Sequence, residues 1–352
     1  MKYDDGRKRS DLFRKRQQRA PRGPLVPISI VLIAALLGLF SLVKPFQFIS
    51  NININPGNVT VPPYTPTPTP LPKPTDVHGG HIVFTCTRQN ANKEDVNQIC
   101  MIRADGSHYV QLTDETTNAY YPAISPDGEL VVFALNQYDN FDLDLLKLSN
   151  LKTVQLTDNL GNSFSPAFSP DGRQIVFVNR VGDAPSTIWV MGKDGEDPHQ
   201  LLAGPKDIVG VAWSPDGNTI AFTMQVDTAF TYEVFLLDLR HPNVQPRRVS
   251  HGLSGIGGSL SWSPDGRNLL VFAGPVAARE VYRLNLATGA ITQLTFGGNN
   301  AAAAYSPDGQ YIVFNSLRNN DQADLYIMRA DGHSMRQLTT NPEPDWQPQW
   351  GP

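Results

Sequence analysis

The chain has 352 residues, 40% hydrophobic and 18% charged, a balance that excludes both a disordered polymer and a polytopic membrane protein. Its formal net charge of −4 conceals an asymmetry, because residues 1–24 carry nine Lys or Arg against three Asp, leaving −10 for the rest. An acidic body of that kind excludes a nucleic-acid partner, which would demand neutralisation of its phosphates.

In chain order, residues 1–24 read as a basic cytoplasmic tail. Residues 25–43 are nineteen residues without a charge, a transmembrane helix of roughly 28 Å against a hydrocarbon core of about 30 Å. Arg7, Lys8, Arg9, Arg14, Lys15, Arg16, Arg19 and Arg22 crowd its N-terminal side and Lys44 stands alone on the other. The positive-inside bias therefore places the N-terminus in the cytoplasm and everything after Val43 outside it, as a single-pass protein of the cell membrane. A cleaved signal peptide is the rival reading, but the stretch from Lys44 to Phe48 offers no small-x-small cleavage pattern. No Cys near the N-terminus supports lipidation.

Residues 44–79 form a Pro/Thr-rich linker. Seven prolines within residues 62–74 favour polyproline II, a semi-rigid stalk of roughly 40 Å at about 3.1 Å per residue. Asn58-Val59-Thr60 matches a glycosylation sequon.

From Gly80 onward the chain repeats. Ser-Pro-Asp-Gly recurs five times, at residues 125–128, 169–172, 214–217, 263–266 and 306–309, spaced 44, 45, 49 and 43 apart. Pro second, Asp third and Gly fourth suit a type I β-turn, so the Asp set shapes hairpins rather than catalyses. A β-rich run closing on Phe follows each turn: Val131-Val132-Phe133, Ile175-Val176-Phe177, Ile220-Ala221-Phe222, Leu270-Val271-Phe272 and Ile312-Val313-Phe314, with Ile82-Val83-Phe84 as the sixth. A second apolar run comes next, as in Leu325-Tyr326-Ile327-Met328, often with an Asp-Gly turn such as Asp331-Gly332. A short strand such as Gln111-Leu112-Thr113 or Gln293-Leu294-Thr295 ends the unit. Gln349-Trp350-Gly351-Pro352 repeats the approach to the turn, so the sixth unit is split between the two ends of the domain. Four strands per unit and six units predict an all-β, six-bladed β-propeller over residues 80–352, in which the segment at Pro348 to Trp350 joins residues 81–113 to complete one blade.

This order of parts resembles the WD-repeat-like β-propeller repeat of the TolB family, and the resemblance covers residues 80–352. It implies a propeller used as a binding platform in the cell envelope. The smaller α/β domain that precedes the propeller in TolB is missing, and an anchor with a stalk stands in its place. The expected function is a membrane-anchored, extracytoplasmic module that binds a protein, peptide or glycan, with no cofactor and no catalytic residue.

The alternative is a propeller enzyme, a carbohydrate lyase or hydrolase with a metal in the central channel. No hydrolase segment follows the last repeat, and the glycine-rich stretch 252–259 holds no Gly-x-Ser-x-Gly elbow. The seven histidines, His78, His81, His108, His199, His241, His251 and His333, fall at unlike repeat positions without metal-site spacing. Asp139, Asp142 and Asp144 are the densest acidic cluster, and oxygen-rich loops can hold calcium. Asp144, however, aligns with Glu233, Glu280 and Asp324, which points to a repeated structural hydrogen bond. Cys86 and Cys100 fall on neighbouring strands of one hairpin and are expected to form a disulfide in an exported domain, with two reduced thiols as the alternative in a reducing compartment.

The Ser-Pro-Asp-Gly and Asp-Gly turns lie at one end of every blade, and the connections at the other end are expected to be longer and more variable. Binding residues concentrate on such loops. The candidates are Tyr120, Tyr121, Phe164, Phe230, Tyr232, Asn299, Asn300 and Trp346, with capping of the inner strands and packing between blades as their purely structural alternative.

Overall fold

The computed structural model describes residues 80–352, apart from residues 115, 138–139, 228–230, 242–244 and 320. The expected tail, transmembrane helix and stalk of residues 1–79 lie outside the described residues. Among the described residues, no helix is long and apolar enough to cross a membrane.

Alternation of apolar and polar residues, punctuated by Gly and Pro, yields strands only. Blade 1 contains β1 (His81–Gln89), β2 (Asp95–Arg103) and β3 (Val110–Gln111). Blade 2 follows with β4 (Ala119–Ile124), β5 (Leu130–Gln137), β6 (Asn140–Lys147) and β7 (Lys152–Gln155). Blade 3 has β8 (Asn162–Phe168), β9 (Gln174–Arg180), β10 (Thr187–Gly192) and β11 (His199–Leu202). Blade 4 has β12 (Ile208–Trp213), β13 (Thr219–Gln225), β14 (Tyr232–Asp238) and β15 (Arg247–Arg248). Blade 5 has β16 (Ser261–Trp262), β17 (Asn268–Ala273), β18 (Glu280–Asn285) and β19 (Ile291–Gln293). Blade 6 has β20 (Asn300–Tyr305), β21 (Tyr311–Asn319), β22 (Gln322–Arg329) and β23 (Arg336–Gln337). The last strand, β24 (Asp345–Gly351), pairs antiparallel with β1 and makes blade 1 four-stranded like the others. The six first strands touch one another in a closed circle, which makes them the inner strands of the ring.

Closure follows a definite register: His81 faces Gly351, Ile82 faces Trp350 and Cys86 faces Asp345. Because the C-terminal strand is the inner one, the ring presents no open inner edge. The core lies between neighbouring blades, one apolar cluster joining blades 2 to 4 and another joining blades 1 and 6.

The five Ser-Pro-Asp-Gly segments fold alike. At the first, Gly128 donates its amide to the Ser125 carbonyl at 2.9 Å, closing the turn. The Ser125 hydroxyl donates to the Asp127 carboxylate at 2.5 Å and accepts the Leu130 amide at 2.9 Å. Asp127 in turn accepts the Glu129 amide at 3.0 Å. The glycine sits at φ +73°, a region that any side chain would strain. Bonding to the neighbouring Ser holds the carboxyls of Asp127, Asp171, Asp216 and Asp265 below the ordinary range.

Phe84, Phe133, Phe177, Phe222 and Phe314 are fully buried. Their strands do not end on them but continue toward the next connection, β1 as far as Gln89. Phe272 corrects the sequence alignment. The four other Ser-Pro-Asp-Gly repeats place Phe eight residues after the turn serine, but in blade 5 that residue is Val271. Val271 pairs with Tyr282 and Phe272 with Val281. One residue of slip sends a side chain to the opposite face of its strand. There the Phe272 ring covers Gly257, whose hypothetical Cβ would come within 1.7 Å of it. The Arg279 guanidinium sits over the ring, 5.4 Å from its centre.

Candidate binding surface

The ring has two faces: a turn face carrying the Ser-Pro-Asp-Gly turns, and an opposite loop face. Length does not separate them as expected. The second-to-third-strand connections of blades 2 and 6 span only residues 138–139 and 320–321, whereas residues 239–246 on the turn face form one of the longer connections. The faces differ instead in what their side chains are bonded to.

On the loop face a repeated polar contact ties four of the six blades to the next. Asn118, Asn162, Asp207 and Asn299 stand at the entry to an inner strand. Each accepts an amide of the preceding blade: Asn97 at 2.8 Å, Phe141 at 3.0 Å, Ser186 at 3.0 Å and Arg279 at 3.2 Å, respectively. Asn299 thus belongs to a structural set. Asn300 is fully buried, donates to Glu280 at 2.7 Å and accepts from Arg318 at 3.0 Å.

The acidic residue near the start of the third strand in blades 2, 4 and 5 is structural as well, but its alignment is corrected. Thr157 donates to Asp142 at 3.0 Å while accepting the Leu143 amide at 2.8 Å. Thr295 and Glu280 repeat this arrangement, and so do Ser250 and Glu233. Asp142 is therefore the counterpart of Glu233 and Glu280; Asp144 lies two residues further on, opposite Phe133. Desolvation raises the carboxyl pKa of Asp142. Asp139 lies outside the described residues, and the described residues contain no group of three metal-ligating side chains.

The aromatic candidates divide. Tyr120 is buried and its hydroxyl accepts from Asn97 at 3.1 Å. Tyr232 is buried beside Asp207, and desolvation pushes its phenol up to about 12. Phe164 is buried 6.3 Å from the ring of Tyr121. Phe230 lies outside the described residues. Tyr121 and Trp346 are half-buried on inner strands. Tyr121 occupies a bulge at φ +53°, and Ser165, Ala302 and Gln347 hold the equivalent bulges of their blades. The Gln347 side chain accepts from Thr85 and from the Tyr121 amide, both at 3.1 Å, and joins blade 1 to blade 2 at the closure.

Cys86 and Cys100 form a disulfide between β1 and β2. Beside it Tyr109 donates to Asp345 at 2.9 Å and bonds to Arg88. Asp345 is fully buried, and desolvation pushes its carboxyl up to about 7. Neither this buried carboxyl nor the exposed Val276 and Phe296 was visible from repeat alignment, because each stands where the repeat is irregular. The exposed pair could have been found by asking which loops lack charge.

Residues 180–352 match the family described as TolB beta propeller domain. An uncharacterised protein of Agrobacterium fabrum is 31% identical over 140 residues, covering 40% of this chain and 46% of that one. The Tol-Pal system protein TolB of Anaeromyxobacter dehalogenans is 35% identical over 92 residues, covering 26% of this chain and 21% of that one. The chain thus spans less than half the length of these curated relatives. Among solved structures, TolB from Acinetobacter baumannii superposes with a TM-score of 0.66 at 20% identity, covering 77% of this chain and 66% of that one. A putative TolB from Agrobacterium tumefaciens superposes at 0.58 and 18% identity, covering 74% and 88%. At such identities these structures speak to the fold alone.

Proposed function

Because residues 80–352 form a six-bladed β-propeller whose residues 180–352 match the TolB beta propeller domain family, we propose that the chain is a non-enzymatic protein-binding module of the cell envelope, held outside the cytoplasm by residues 25–43. One observation carries the reading. These carboxylates and amides at the loop face are spent on the scaffold: Asp142, Glu233 and Glu280 tie the third strand of a blade to the segment after its fourth, and Asn299 ties blade 5 to blade 6. Surface is left for recognition, while the repeated polar groups remain committed to the scaffold. The apolar run with its basic flank and the Pro/Thr-rich stalk support presentation of that surface away from a membrane. The disulfide supports an oxidising compartment.

The test is protease treatment of intact cells expressing the full chain with a tag at each end. External protease is expected to cut within the stalk and release the propeller with the C-terminal tag, while the tag ahead of residue 1 stays protected. Cleavage that occurs only after lysis would remove the extracytoplasmic placement. Loss of the C-terminal tag alone, with the propeller still membrane-bound, would remove the stalk from the reading.

A further inference from the structure

Twelve connections meet the loop face, six within blades and six between them, and their charges are not evenly spread. Within blades 1, 2, 3, 4 and 6 the connection between second and third strands contains one carboxylate each: Glu94, Asp139, Asp183, Asp227 and Asp321. Four of the between-blade connections contain Asp114, Asp158, Asp207 and Glu343. The three connections that serve blade 5, residues 249–260, 274–279 and 294–299, contain no carboxylate at all. Their one formal charge, Arg279, is buried against Phe272.

Those three connections form one surface. Gly274 donates its amide to Ser254 at 2.7 Å, and a Cβ on Gly255 would meet the Gly274 carbonyl at 2.4 Å, so residues 252–255 lie against residue 274. Arg279 binds the Asn299 side chain and accepts the Asn300 amide at 2.7 Å, which brings residues 296–300 against the same hairpin. Glu280 accepts from the Thr295 hydroxyl at 2.6 Å and from the Gly297 amide at 2.5 Å. Phe296, pinned on both sides, is nonetheless 61% exposed, and Val276 is 47% exposed. Half-buried Leu253 and exposed Ala277 and Ala278 extend the apolar surface. Val181, also exposed on this face, has Asp183 nearby and lies outside the sector. Holding a large aromatic in water on a tied loop is costly unless something covers it.

We propose that this charge-free sector over blade 5 is the docking site for a protein segment with an apolar anchor and basic flanks. The proposal rests on the protein-binding reading above and deepens it. Charge complementarity selects the occupant. The apolar sector would take the anchor, and the loop-face connections of the two flanking blades, residues 226–231 and 320–321, contain Asp227 and Asp321 and no Lys or Arg. A basic segment would be steered and held by that rim, and an acidic one repelled. An anionic lipid surface would meet the same repulsion.

The experiment pans a phage-displayed library of random peptides against the full chain in nanodiscs. Enriched peptides are expected to pair a large apolar residue with flanking Lys or Arg. Phe296→Asp and Val276→Asp are each expected to weaken their binding about tenfold or more. Asp227→Asn with Asp321→Asn is expected to weaken it about threefold and to flatten its salt dependence. Thermal melting shows whether each variant is folded. Peptides that bind a stably folded Phe296→Asp variant undiminished would overturn the site and leave the protein-binding reading intact. Failure to enrich any apolar–basic peptide would overturn both. Self-association of the parent that Phe296→Asp abolishes, or capture of phosphatidylglycerol vesicles that it abolishes, would overturn the proposal by assigning the sector to a second copy or to lipid.

Discussion

Asp345 shows how a single side chain ties the stability of the ring to pH. It opens β24, faces Cys86 across the closing seam, and receives the Tyr109 hydroxyl with Arg88 behind it. Burial outweighs these favourable contacts, so its pKa of about 7 lies above the unfolded value near 3.9. The folded form therefore holds its proton more tightly than the unfolded chain. The resulting stabilisation is fully present below about pH 4 and is lost as pH rises through 7. Melting followed from pH 4 to 8 should show a decline of on the order of 2–4 kcal/mol attributable to this carboxyl. Asp345→Asn, which keeps the shape but cannot ionise, should flatten that slope. An Asn variant with the parent's pH slope would show that other groups cause it.

Blade 5 is the element in which repeat geometry gives way. Its inner strand is only Ser261–Trp262, and residues 252–258 replace the rest with a glycine-rich path. The glycines are there because backbone meets backbone: a Cβ on Gly210 would come within 1.6 Å of the Gly258 carbonyl. Phe272, slipped by one residue, fills the space above Gly257. Gly257→Ala should therefore cost roughly 3 kcal/mol or more through overpacking. Phe272→Ala, destabilising alone, should partly rescue it in the double variant, as a negative coupling in a double-mutant cycle. Simple additivity would mean that the ring and the glycine do not share the space as described.

At the scale of the whole molecule, stability rests on circular closure. β24 covers β1, and Trp350 packs into the cluster shared by blades 1 and 6. Removing residues 345–352 deletes the inner strand of blade 1, leaves β1 without its partner and opens that cluster. The expected outcome is a fall in melting temperature of on the order of 10 °C, or failure to fold, together with concentration-dependent aggregation. A soluble, monomeric truncation with an unchanged melting curve would refute closure as the source of stability.

The repeat was legible because the Ser-Pro-Asp-Gly turn is a local device: its Ser, Asp and Gly bond within six residues of one another, so the chain needs no distant partner to form it. Blade number, the split sixth blade and the hairpin holding Cys86 and Cys100 followed from that period. The candidate surface was less legible. Aromatic identity pointed to Tyr120, Phe164 and Tyr232, yet exposure is decided by neighbours from adjacent blades, and these three are buried. The one-residue slip of Phe272 and the counterpart role of Asp142 likewise depended on strand register, which pairing fixes and alignment only guesses. The amino-acid sequence by itself determined turns, strands and their count, because those are set by short-range sterics and hydrogen bonding. Only the tertiary structure decided which side chains face water and which three loops meet over blade 5, because those loops are joined by hydrogen bonds between residues about 20 apart in the chain, Ser254 with Gly274, Arg279 with Asn299 and Glu280 with Gly297.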